Sequence, residues 1–104
     1  MSDKVISEAY LTTKVTSHLK SLNHCWFFKV WGGGAQRRGI PDIIGVYFGR
    51  FFALELKASN GKPSALQTRA IRLITEAGGY ARVVYPNDWE QIKNELEMIK
   101  DGLD

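Results

Sequence analysis

Residues 42–58 constrain the fold more than any other part of the chain: two short apolar runs, broken at Gly49-Arg50 and punctuated by three charges. Before the break stand Ile43, Ile44, Val46, Tyr47 and Phe48; after it stand Phe51, Phe52, Ala53, Leu54 and Leu56. β-Branched and aromatic side chains suit strands, and a two-residue break containing glycine predicts a hairpin of strands at about 42–48 and 51–58. Charges are disfavoured in so apolar a setting unless they are paired or hold a metal. Asp42, Glu55 and Lys57 therefore need a reason to be there.

A turn at Gly49-Arg50 puts Phe48 opposite Phe51, Ile44 opposite Glu55 and Asp42 opposite Lys57. Side chains alternate between faces with period two. Asp42, Ile44 and Val46 then share a face with Ala53, Glu55 and Lys57. Asp42 and Glu55 become diagonal neighbours, roughly 7–8 Å apart at the backbone and closer at their tips.

The remaining chain supplies the frame. Ser7 is placed to cap a helix over 7–22, whose apolar positions Leu11, Val15, Leu19 and Leu22 recur at helical spacing. Residues 26–31 read as a strand, and Gly32-Gly33-Gly34 through Gly39 as a loop carrying Arg37 and Arg38. A turn at 60–63 precedes Ser64, which caps a helix to about Ala77. Its stripe of Leu66, Ala70, Leu73, Ile74 and Ala77 is spaced to face a core, and Gly78-Gly79 ends it. A strand at 80–85 and a last amphipathic helix, capped by Asn87 or Asp88 and running to about Lys100, complete the order αβββαβα. This is a mixed α/β chain that fits a single domain over 1–104.

Composition excludes several classes. Hydrophobic content of 44% without a long apolar run predicts no membrane span. Met1-Ser2-Asp3-Lys4 lacks the apolar block of a signal peptide, and lone Cys25 forms neither an internal disulfide nor a cysteine zinc site. A reducing, cytoplasmic setting is expected. The net charge is +3, but from Pro86 onward six acids face two bases, leaving residues 1–85 at +7. A basic body suits a polyanion.

Two carboxylates and a lysine on one face suit Mg²⁺ or Mn²⁺, hard ions bound through a few carboxylates while keeping waters. Phosphodiester hydrolysis needs an activated water and neutralisation of phosphate charge, both of which such an ion supplies. Lys57, beside two anions, is read as an electrostatic group that orients the nucleophile. A simple Asp42–Lys57 ion pair is the plainer alternative, but it leaves Glu55 unexplained.

Pro41-Asp42 followed by Glu55-Leu56-Lys57 resembles the PD-(D/E)XK nuclease signature. The surroundings narrow the likeness. Residues 39–45 (GIPDIIG), 52–57 (FALELK), 61–64 (GKPS), Leu66-Gln67 and Glu8 resemble the VRR-NUC branch, the virus-type replication-repair nucleases, across about 7–85. The resemblance implies a restriction-endonuclease-like αβββαβ core with a mixed sheet, with the helix at about 87–100 outside it. It implies metal ligation by Asp42, Glu55 and the main-chain carbonyl of Leu56, a catalytic Lys57, and accessory roles for Gln67 and Glu8. It also implies a homodimer that cuts branched DNA such as four-way (Holliday) junctions, in DNA repair in a bacterial or phage-infected cell. A chain this small has little surface for gripping a duplex, and two copies would match a two-fold junction.

Plainer readings stand beside these. Glu8 also suits a helix first turn, and Gln67 a solvated or capping position. Arg37, Arg38, Lys62, Arg69 and Arg72 are candidate phosphate contacts, although solvated charges look the same in sequence. Trp26, Trp31 and Trp89 are expected in core or dimer packing more than in base stacking. His18 is read as helix surface and His24 as a loop residue. The alternatives in function are a non-catalytic DNA-binding or recombination module, and a nuclease acting on flaps, single strands or RNA.

Overall fold

A computed structural model describes residues 5–30 and 38–102. Arg37, Trp31 and the triple glycine lie outside the described residues. Four strands form one sheet in the order β1-β2-β3-β4, with β1 Cys25–Lys29, β2 Ile43–Tyr47, β3 Arg50–Leu56 and β4 Tyr80–Val84. The first three are antiparallel neighbours, and β4 runs parallel to β3. A parallel pair needs a crossover, and the helix α2, Ala65–Glu76, provides it. With α1 at Glu8–Ser21 and α3 at Trp89–Lys100, the order is the expected αβββαβα.

One face of the sheet carries the core. Ile43 and Tyr47 of β2, Phe52, Leu54 and Leu56 of β3, and Tyr80 and Val84 of β4 meet Leu11, Val15 and Leu19 of α1. The helix α3 adds Trp89, Ile92, Leu96 and Ile99 to the same cluster. Fully burying such side chains stabilises by about 1.5–3 kcal/mol each, so α3 is an integral wall of the domain. It is also tied to β4: Glu95 accepts hydrogen bonds from Tyr80 Oη and Arg82 Nε. Burial pushes the Glu95 carboxyl up, but the bonds from Tyr80 and Gln91 and the Arg82 charge outweigh it and hold the group below its ordinary value. Cys25 is half-buried against this core, where burial raises its thiol.

Three expectations need correction. The hairpin turns at Phe48-Gly49, with φ +48° and +81°, and not at Gly49-Arg50. Two successive positive φ values match the twist of a two-residue hairpin. Phe48 tolerates that conformation because its N–H donates to His24 O at 3.0 Å and its ring packs on His24. The register consequently pairs Tyr47 with Arg50 and Ile43 with Leu54. That is a shift of two residues, which leaves every side chain on the face assigned to it. Second, α2 buries none of its residues: Leu66 and Leu73 are exposed, because the helix lies on the sheet face opposite the core, against β3 and β4. Third, His18 is half-buried, edge-on to the Trp89 ring, and not simply surface.

Candidate active site

Among the described residues, Asp42 and Glu55 are the buried charged residues, 4% and 2% exposed. They sit on the face opposite the main core. Continuing the observed register one step past Ile43–Leu54 places them directly across from each other, closer than the expected diagonal. Pro41 and Gly39 lead into this position. Gly39 takes φ +81°, and an added Cβ would lie 3.1 Å from Leu66 Cβ. The chain entering β2 therefore runs tight against the first turn of α2.

Asp42 is fixed by both its main chain and its side chain. Its carbonyl accepts from Val30 N–H at 2.7 Å. Its Oδ2 accepts from Leu56 N–H at 2.8 Å, which ties the start of β2 to the end of β3. Leu56 thus touches Asp42 through its main-chain N–H, whereas the role implied by the resemblance falls on its carbonyl.

Glu55 is held from two directions through Oε2. Lys57 Nζ lies 3.4 Å away, two residues along the same face. Gln67 Nε2 donates at 2.9 Å. The Oε1 atom is fully buried. Lys57 does not pair across the hairpin with Asp42 as the expected register had it. Its N–H continues the parallel ladder to Val84 O at 3.0 Å.

Gln67 reaches Glu55 because α2 is capped. Ser64 Oγ accepts from Gln67 N–H, while Gln67 Oε1 accepts from Ser64 N–H at 2.8 Å. This reciprocal box pins the first turn and leaves the amide nitrogen aimed at Glu55. One side chain thus both caps α2 and bonds to the buried Glu55.

The other candidates are less convergent. Glu8 is exposed in the first turn of α1. That turn is docked near the end of β3 by Ile6 N–H donating to Ser59 Oγ and Ser59 N–H donating to Ile6 O. Among the described residues no three His, Cys, Asp or Glu side chains form a metal-holding group, so Glu8 does not join the two buried acids as a third such ligand. Arg38 and Arg69 line one groove, of about 350 Å³, beside Pro41 and α2. Arg72 instead pairs with Glu76 at 3.5 Å on the exposed helix face, and Lys62 is exposed on the turn before α2. Arg37 lies outside the described residues. Trp89 is core, whereas Trp26 is 63% exposed and contributes nothing to the buried cluster.

The donor set fits a hard divalent ion: two facing carboxylates, with a strand-end backbone beside them and a cation next to one of them. Two acids suffice for Mg²⁺, which takes its remaining ligands from water and phosphate. No helix among the described residues is long and apolar enough to cross a membrane. No protein-family model, curated protein or solved structure matches the chain.

Proposed function

We propose that the chain is a metal-dependent endodeoxyribonuclease of the PD-(D/E)XK type, close to the VRR-NUC branch, acting on branched DNA in a reducing cytoplasm. The carrying observation is that the two buried acids, Asp42 and Glu55, face each other across β2 and β3 with Lys57 3.4 Å from Glu55. An ion pair joins Lys57 to Glu55, and Asp42, whose Oδ2 accepts from Leu56 N–H, sets a second buried carboxylate across from Glu55.

In this reading Asp42, Glu55 and the carbonyl of Leu56 would hold Mg²⁺ or Mn²⁺. Bound there, the ion supplies a Lewis acid for the phosphate and an acidified water. The chain does the rest. The Leu56 N–H holds the Asp42 carboxylate in place. The Gln67 amide sets the rotamer of Glu55. The Lys57 ammonium orients the attacking oxygen and stabilises negative charge developing on the phosphate. Arg38 and Arg69, along the adjoining groove, contact flanking phosphates. Glu8 acts through water from the docked start of α1.

The test compares wild type, Glu55→Gln and Lys57→Ala on labelled four-way, flap, duplex and single-stranded DNA and on RNA, with EDTA, Mg²⁺ or Mn²⁺. Cleavage only with metal, lost in both variants and strongest on four-way DNA, is expected. Binding without cleavage, equal in all three proteins, would make the chain a DNA-binding module. Preference for another substrate would replace the junction assignment and keep the chemistry.

A further inference from the structure

The apolar stripe of α2 is not spent on the core. Leu66, Arg69 and Leu73, at helical spacing, line one wall of the groove of about 350 Å³, and Arg38 and Ile40 line the other. Three large apolar side chains in it stay open to solvent: Leu66 is 44% exposed, Leu73 41% and Ile40 40%. The walls meet at Gly39, where an added Cβ would lie 3.1 Å from Leu66 Cβ and 3.2 Å from its carbonyl oxygen. Both walls lead into the carboxylate site. Pro41, also in the groove, precedes the buried Asp42, and Leu66 precedes Gln67, which bonds to Glu55.

We infer that this groove takes one unpaired nucleobase, next to the phosphate being cut; the choice of ligand rests on the nuclease reading. Two observations select it. The first is the combination of charge and apolar surface. Arg38 and Arg69 give each wall a cation, which suits the phosphates on either side of a base. A phosphate track along a duplex uses cations and polar donors and leaves apolar side chains idle. Ile40, Leu66 and Leu73 need a flat apolar face to lie against. An unpaired base offers one, and a base held within a stack does not.

The second is size. Small-ligand sites hold roughly 300–1,000 Å³, and this groove lies near the low end of that range. Leu66 and Leu73 stand about 10 Å apart along the helix. That is room for one nucleotide unit and not for a duplex. The strand being cut must then be unpaired beside the cut. Branch points, flaps and gaps present such a base already, whereas in continuous duplex it has first to be extruded. Ile40, Leu66 and Leu73 thereby become specificity residues without a part in the chemistry.

Fluorescence anisotropy in EDTA, so that nothing is cut, tests this with two probes: a short thymidine oligomer, and an oligomer of the same length whose sugars carry no bases. Wild type should bind the thymidine probe about tenfold or more tighter. Ile40→Ser/Leu73→Ser removes apolar surface without changing charge. It should bind both probes alike, with unchanged circular dichroism, because neither side chain belongs to the core. Arg69→Gln should weaken both probes by a similar factor and keep the preference. Equal wild-type binding of the two probes, binding of neither, or a preference kept by the double variant overturns the inference. So does a wild type that ignores both and binds an acidic leucine-bearing peptide, which would make the groove a peptide site. Base-dependent binding by a protein that cuts no DNA overturns the catalytic reading and leaves this one standing. Metal-dependent cleavage with equal binding of the probes does the reverse.

Discussion

The side-chain amide of Gln67 serves two partners: its oxygen accepts from Ser64 N–H at 2.8 Å, and its nitrogen donates to Glu55 Oε2 at 2.9 Å. The cap of α2 and the orientation of a buried acid are therefore one structure. Glutamate at this position keeps the capping acceptor but removes the donor and sets a second carboxylate against Glu55. Gln67→Glu is expected to melt within a few degrees of wild type while metal-dependent cleavage falls about 10–100-fold, the usual cost of losing a partner behind a metal ligand. Gln67→Ala also loses half of the capping box, at about 1 kcal/mol. Thermal melts beside cleavage rates, with a Mn²⁺ titration, separate the two effects. A Gln67→Glu protein of full activity would remove Gln67 from the site.

Asp42 divides in a similar way between fold and chemistry. Asparagine still offers an oxygen to Leu56 N–H, so Asp42→Asn should fold normally and lose metal-dependent cleavage. Alanine leaves that N–H without its acceptor beside a residue 0% exposed. An unsatisfied buried donor costs about 1–3 kcal/mol. Urea unfolding of Asp42→Asn and Asp42→Ala, with calorimetric Mn²⁺ binding, distinguishes them. Equal stability of the two would mean that the Leu56 bond is unimportant.

The turn makes its own prediction. Phe48 stands at φ +48°, a region costly for β-branched side chains. Phe48→Ile should destabilise by about 1–2 kcal/mol. Asparagine accepts this conformation and, before Gly49, makes the preferred hairpin pair. Phe48→Asn should therefore stay within about 1 kcal/mol of wild type, the lost His24 ring contact offsetting the gain. Denaturant midpoints measure both. Indifference to isoleucine would point to a turn at another position.

His18 predicts a pH dependence of stability. Burial, and then the Lys93 charge, hold its pKa below the ordinary 6.5, against the opposing pull of Glu97 and Glu90. The unfolded chain takes up this proton first as pH falls. The contribution to stability is thus complete above 6.5 and declines as pH falls from there toward the folded value. Urea midpoints at about pH 7.5 and 5.5 should differ more in wild type than in His18→Gln. Equal slopes would show that His18 protonates freely beside Trp89.

Much of this was legible along the chain. The order of elements followed from periodicity and from caps such as Ser7 and Ser64, which act within a single turn. The shared face of Asp42, Glu55 and Lys57 was legible for the same reason. Alternation along a strand has period two, and a register error of two residues returns every side chain to its side. The hairpin register itself was not legible, because it rests on Phe48 docking to His24, a contact from 24 residues away in sequence.

Nor could spacing separate a helix that buries its stripe from one that leaves it open. Leu66 and Leu73 have core spacing, yet α2 rides over the far face of the sheet, where among the described residues Trp26, Phe28 and Val46 stay exposed. Trp26 and Trp89 are the same residue type with opposite fates for this reason. Local geometry dictates which way a side chain points from its own backbone, and that much could be read from the order of residues. What lies on that side, another helix or empty surface, depends on how distant segments pack, and only the folded chain decided it.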